Sequence, residues 1–200
     1  MKIFFKLIVI MALINSGCKA QKNLLEQNVN SIGNKQQIED TVLKKLQSEN
    51  DLVIAFATEN YAWVKSMDYS IIAKNSGEWK GYKYHLNLMN GNAGSPTTLT
   101  TVTVDKTACE AIANFISDNK AWSLQGDGGK TFCANGNKNC NINDAATSRL
   151  WIITKSAYIN PSYYAPDFYE TCCPEAQRGL FLSITKKIAA TSGTAANAEQ

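Results

Sequence analysis

Five cysteines, one histidine and a few carboxylates are the residues with which the body of this chain could do covalent chemistry. The cysteines are Cys109, Cys133, Cys140, Cys172 and Cys173. A catalytic thiol needs a lowered pKa and a base that is itself held in place. Cys173 stands just before Pro174 and Glu175, where a helix is expected to start, and a helix N-terminus favours a thiolate. Its candidate partners are His85, Asp167, Glu170 and Glu175. His85 is the only histidine and falls on an expected strand with nothing local to orient it. No spacing among these residues is diagnostic of a thiol enzyme. A zinc site is disfavoured too: adjacent cysteines do not usually share one tetrahedral metal, and no Cys-x-x-Cys pair occurs.

Two Gly- and Asn-rich stretches have the look of ion or phosphate loops. Asp127-Gly128-Gly129-Lys130 lacks the Walker spacing, and 135–144 carries Asn and Lys138 where an EF-hand needs alternating acids and a closing Glu. No metal and no cofactor is therefore expected. Aromatic residues offer a different chemistry. Tyr158, Tyr163, Tyr164, Phe168 and Tyr169 form the densest cluster, interrupted by Pro161 and Pro166 as a surface loop would be. Rings exposed there would stack on sugars or anchor a protein. Trp79, Tyr82 and Tyr84 form a second cluster.

The chain opens with Lys2 and Lys6, an unbroken apolar run from Leu7 to Ile14, and Asn15-Ser16-Gly17-Cys18. That run is too short for a permanent membrane span, which needs about 20 apolar residues. A charged start, a short apolar core and a small-residue exit make a signal peptide. Small residues directly before a lone cysteine resemble the lipobox of bacterial lipoproteins. The resemblance implies a signal peptide over 1–17 and acyl chains, palmitate among them, on Cys18 as the new first residue. It also implies a chain held by lipid in the cell envelope, with the outer membrane preferred and the leaflet, periplasmic or outward, left open. Each buried CH₂ of such a chain contributes roughly 0.8 kcal/mol to anchoring. Cleavage would remove Lys2 and Lys6 and no acid, lowering the formal charge from +3 to +1. No basic field then remains to attract nucleic acid.

Export brings the remaining cysteines into an oxidising compartment, where disulfides are the default. Five cysteines allow two bridges and leave one thiol. Cys133 and Cys140 flank a short loop, and closing it is worth about 2–3 kcal/mol on the chain-entropy model. They are expected to pair. Cys109 would then meet Cys172 or Cys173, and Cys173 is the candidate odd thiol.

Hydrophobic spacing supplies the elements that must position these residues. Residues 18–34 read as a polar tether. A helix is expected from the Asn34 cap to Asn50, with Ile38, Val42 and Leu46 on one face. Leu52–Ala57 is apolar throughout and undecided between strand and helix. Tyr69–Lys74 and Trp79–Met89 read as a hairpin around Asn75-Ser76-Gly77-Glu78. Its second strand puts Tyr82, Tyr84, Leu86 and Leu88 on one face and Trp79, Gly81, Lys83 and His85 on the other. Thr97–Val104 is a third strand, Cys109, Ile112 and Ile116 line a helix, and Ser148–Tyr158 is a further strand. Leu180–Ile188 reads as helix with strand as its rival, and 191–200 as a disordered tail. The order of elements lacks βαβ alternation, so the fold expected over 35–190 is α+β. It has one antiparallel sheet of four or five strands, two or three helices and disulfide staples.

Two classes of function remain. One is a non-catalytic, lipid-anchored module binding a protein or glycan, favoured by the lack of a catalytic constellation. Its layout over Tyr69–Leu124 resembles small exported inhibitor and immunity-type domains, in architecture alone. The other is a small exported enzyme with a reactive thiol at Cys173 or Cys172.

Overall fold

Leu52, Val53, Ile54, Ala55 and Ala57 are all buried, so this segment is apolar on both sides. In the computed structural model, which describes residues 24–60, 65–89, 96–127, 133 and 140–193, it forms strand β1 (Leu52–Asn60). A strand apolar on both sides has to be paired at both edges and covered on both faces. β2 (Ser66–Asn75) and β5 (Thr147–Thr154) supply the two edges, each antiparallel to it. β3 (Glu78–Asn87) and β4 (Thr98–Val102) continue the sheet beyond β2. Beyond β5 lie two short pieces, β6 (Tyr158–Ile159) and β7 (Ser162–Tyr164). The sheet has seven antiparallel strands in the order β4-β3-β2-β1-β5-β6, with β7 also on β5.

β6 and β7 act as one edge strand. Ile153 faces Tyr158 and Ile152 faces Ile159, and the same register continues through Arg149 facing Ser162 to Thr147 facing Tyr164. Pro161 has no N–H to give, which interrupts the ladder and blunts this edge against further strands. The irregular stretch expected around Asn160-Pro161 is this interrupted strand.

Helices cover the two faces unequally. On one face lie α1 (residues 24–32), α3 (Lys106–Asp118) and α5 (Ala176–Gly193). Leu25 and Val29, then Cys109, Ile112 and Ile116, then Phe181, Ile184 and Ile188 pack there on Leu52, Ile54, Ile72, Leu150 and Ile152. The other face has α2 (Thr41–Glu49), whose Leu43 and Leu46 join Ile38 against Val53, Ala55, Ile71, Ala73 and Ile153. A short α4 (Pro166–Cys172) precedes α5.

The α+β class holds, with seven strands and five helices among the described residues where four or five strands and two or three helices were expected. Several boundaries move. Residues 24–32 are helical, and Leu25 and Val29 are buried, so the packed domain begins well before residue 35 and the expected tether is shortened. Asn34 does not cap α2; its backbone bridges Tyr158, and Asp40 caps instead, its Oδ1 accepting from Leu43 N at 2.8 Å. The stretch 180–188 is helix, because Phe181, Ile184 and Ile188 at helical spacing all reach the core. α5 runs to Gly193, into the expected tail; 194–200 lie outside the described residues, as does Cys18. No helix among the described residues is long and apolar enough to cross a membrane.

The docking of α1 carries a direct consequence. Leu25→Ala should lower the unfolding free energy by about 2–5 kcal/mol, as for other core leucines. Denaturant melts of the parent and variant measure it; an unchanged midpoint would mean that α1 is not part of the folded unit.

Candidate functional site

The nine residues of α2 span about 13 Å, whereas the sheet from β4 to β6 is about 24 Å wide. Part of the α2 face is therefore left bare. The loop 36–41 leading into α2 overhangs that bare region and encloses a cleft of about 570 Å³.

Aromatic side chains from four strands make its floor and one wall. Tyr69 and Tyr84, on β2 and β3, stack at 5.0 Å with 26° between their planes. Trp151 of β5 and Tyr158 of β6 meet at 5.3 Å, tilted by 39°. Met67 and Leu86 complete the apolar surface. Tyr69 and Tyr84 are buried, whereas Trp151 and Tyr158 are half-exposed and present ring surface to the cleft. Burial first, then the neighbouring Asp40 carboxylate, pushes the Tyr69 and Tyr84 phenols well above their ordinary value. Both stay protonated donors at neutral pH.

Three charged groups at the cleft, Glu59, Arg149 and Asp40, are held by structural partners. Glu59, buried at 7%, accepts from Arg149 Nε at 2.9 Å and Nη2 at 2.8 Å, both on Oε2. Asp40 caps α2 with Oδ1 and accepts from the Tyr84 hydroxyl with Oδ2 at 2.9 Å, tying the overhanging loop to the floor. Asn34 exchanges backbone bonds of 2.7 and 2.9 Å with Tyr158, and its amide donates to the Tyr158 hydroxyl at 3.0 Å. The rim is thus fixed at both ends. Two polar atoms of the wall, Trp151 Nε1 and Asn160 Oδ1, are covered and have no hydrogen-bond partner among the described residues.

The expected aromatic surface is dispersed. Tyr163 and Tyr169 are each 2% exposed and belong to the core, Tyr163 against the Phe181 ring at 4.7 Å. Tyr164 and Phe168 are half-buried around Tyr169. Only Tyr158 reaches the cleft. Its partners there, Tyr69, Tyr84 and Trp151, come from other strands; the alternation of Tyr82, Tyr84 and Leu86 was the one signal in the sequence that pointed to this face.

The cysteines pair differently from the expectation. Cys133 is bridged to Cys173 and Cys140 to Cys172, with Cα separations of 5.5 and 6.0 Å, and Cys109 is the free thiol among the described residues. α4 ends at Cys172 and Cys173 caps it, so both adjacent cysteines are presented together to Cys133 and Cys140. Cys109 lies on the inward face of α3, fully buried among Ile112 and Ile116, and cannot reach them. Neither Cys173 nor Cys172 is therefore a free thiol. The sulfurs of Cys133, Cys140 and Cys172 lie within 4.8 Å of one another, but a disulfide sulfur is not the thiolate a metal requires. The carboxylates proposed to assist a thiol are structural: Asp167 pairs with Lys186 at 3.1 Å, Glu170 with Arg178 at 3.2 Å, and Glu175 accepts from the Arg178 backbone N–H at 3.0 Å. His85, by contrast, is oriented, its Nδ1 standing 2.7 Å from Asp68 Oδ1 across the β2–β3 pair.

No family model matches the chain, and no curated protein matches it. What the fold and site define is an α+β domain with one overhung aromatic cleft and a disulfide-braced corner.

Two measurements test this geometry. Arg149→Met should destabilise the fold by about 2–3 kcal/mol, somewhat less than for a fully buried pair, because Arg149 keeps 29% of its side chain exposed. Glu59→Gln combined with Arg149→Met should recover most of that loss; a double-variant loss equal to the sum of the two single losses would mean that the pair carries no coupling. Burial, with Asp105 and Glu110 nearby, also raises the Cys109 thiol from 9.0 to about 11. This contribution to stability is complete below about pH 9 and is lost as pH rises towards 11. Among Cys109, Cys133, Cys140, Cys172 and Cys173, iodoacetamide should label none in the native, unreduced protein at pH 7 and Cys109 alone after denaturation. Labelling of Cys173 or Cys172 without reduction would contradict the bridges.

Proposed function

We propose that the chain is a lipid-anchored module of the bacterial cell envelope that binds a glycan, without catalysis, in the cleft between the 36–41 loop and the sheet. One observation carries the reading: half-exposed Trp151 and Tyr158 rings stand beside planar polar groups within a rigid cleft. Ring faces stack on the C–H surface of a pyranose while amides, carboxylates and guanidinium bond its hydroxyls. Gln36, Gln37 and Glu39 supply such groups at the exposed rim. Glu39, Asp40 and Glu59 outnumber Arg149 in the lining, which disfavours an anionic ligand. Glu59 and Asp40 are each engaged in structural hydrogen bonds, which supports binding rather than acid–base chemistry. A protein partner is the second reading for the same cleft.

The envelope address rests on the lipobox-like Asn15-Ser16-Gly17-Cys18. If residues 1–17 are removed and Cys18 is acylated, only five residues separate the lipid from α1 at residue 24. The cleft would then work close to the bilayer.

Glycan-array screening of the detergent-extracted full chain, followed by calorimetry on any hit, tests the binding reading. Trp151→Ala and Tyr158→Ala should each weaken binding about tenfold, the equivalent of roughly 1.4 kcal/mol. Binding that survives both changes, or an array without hits alongside capture of a protein through this cleft, would overturn the glycan assignment. For the address, Cys18→Ser should abolish incorporation of a clickable palmitate analogue and release the protein from the membrane fraction.

A further inference from the structure

The opposite face of the same sheet bears a second polar site. α1, α3 and α5 leave uncovered the end of that face where β4, β3, β2 and β1 meet, and a cavity of about 250 Å³ opens there. Strand register arranges its side chains in two rows. Thr98, His85, Asp68 and Thr58 form one; Thr100, Lys83, Ser70 and Phe56 form the other. Lys83 Nζ donates to Ser70 Oγ at 2.8 Å. Lys45, Lys74, Lys106, Lys155 and Lys186 all sit on carboxylates. Lys83 is different: among the described residues its partner is a neutral hydroxyl. Lys83 is exposed on β3, and partial desolvation of its ammonium lowers its pKa, as it does where no carboxylate offsets the lost hydration.

We propose that this site binds a tetrahedral oxyanion, the phosphate or sulfate group of a small ester or the free ion, with Lys83 as its cationic anchor. Ser70, 8% exposed and already accepting from Lys83, keeps its own hydroxyl proton to donate. Thr98, Thr100 and Thr58 add hydroxyl donors along the two rows. Several convergent donors around one positive charge match the oxygens of a phosphoryl or sulfuryl group. Asp68 lies in the same lining, and its charge opposes an anion. A carboxylate only accepts, so the bond to His85 Nδ1 is one in which the ring donates to Asp68. The ammonium and the hydroxyls must exceed that opposition, which predicts weak, salt-sensitive binding. None of these residues belongs to the glycan cleft apart from the backbone it shares through Tyr69 and Tyr84.

The single histidine makes the test direct. His85 lines the cavity, and its imidazole resonances can be followed by NMR in the full chain without ambiguity. Phosphate and sulfate, titrated at constant ionic strength with chloride as balance, should each shift them saturably. Lys83→Met should weaken the response at least tenfold, and Thr100→Val several-fold while keeping a strand-forming side chain on β4. Should Lys83→Met fail to fold, Thr100→Val decides alone. Glucose 6-phosphate separates the sources: tighter binding than inorganic phosphate assigns the group to a larger ligand, and equal binding assigns it to the free ion. A response equal in chloride, or unchanged in the variants that fold, would overturn the site.

Discussion

Two-sided burial of β1 is the constraint from which the rest of the molecule follows. Val53, Ile54 and Ala55 have no exposed surface, so apolar layers are needed above and below the same strand. Three helices meet that need on one face. On the other the chain spends a nine-residue helix and an irregular loop, and the shortfall in cover becomes the cleft. The aromatic residues of β2, β3 and β5 are where they are because an incompletely covered sheet face still has to exclude water from its centre, and large amphipathic rings do this while leaving one edge accessible.

The same reasoning explains why the cleft is rigid. Asp40 serves the helix and the floor at once, through Leu43 N and the Tyr84 hydroxyl. Asn34 is laid along Tyr158 by two backbone bonds. The two bridges hold Cys133 and Cys140 to the end of α4, and Arg178 bonds both Glu170 and the Cys173 carbonyl beneath them. The disulfides thus brace a corner that has its own small cluster around Tyr169, none of whose residues lines either candidate site.

Patterns of local origin were legible in the sequence. The β2–β3 hairpin and its two faces follow from alternation and from Ser76-Gly77, where both residues take positive φ, 51° and 86°. The Cys109, Ile112, Ile116 stripe of α3 follows from helical spacing. What failed to show was non-local. Short-loop closure favoured Cys133–Cys140, but the end of α4 brings two adjacent cysteines to that loop, which no spacing reveals. His85 looked unsupported because Asp68 lies seventeen residues away along the chain and directly opposite it across the hairpin. Tyr163 and Tyr169 looked like loop aromatics because Pro161 and Pro166 flank them, yet Pro161 interrupts an edge strand and Pro166 opens α4. The cleft itself is a sum of five strands and one loop, and of its aromatic residues only Tyr84 and Tyr158 stood in clusters marked out beforehand.

The central claim is that the bare part of the α2 face exists to take a sugar. Amide and indole chemical-shift mapping of the ¹⁵N-labelled chain against neutral oligosaccharides tests it most directly. Shifts confined to the Trp151 indole, Tyr158 and residues 36–41 are the predicted result. Shifts confined to another surface, or none at saturating sugar while a protein ligand moves the same resonances, would contradict it.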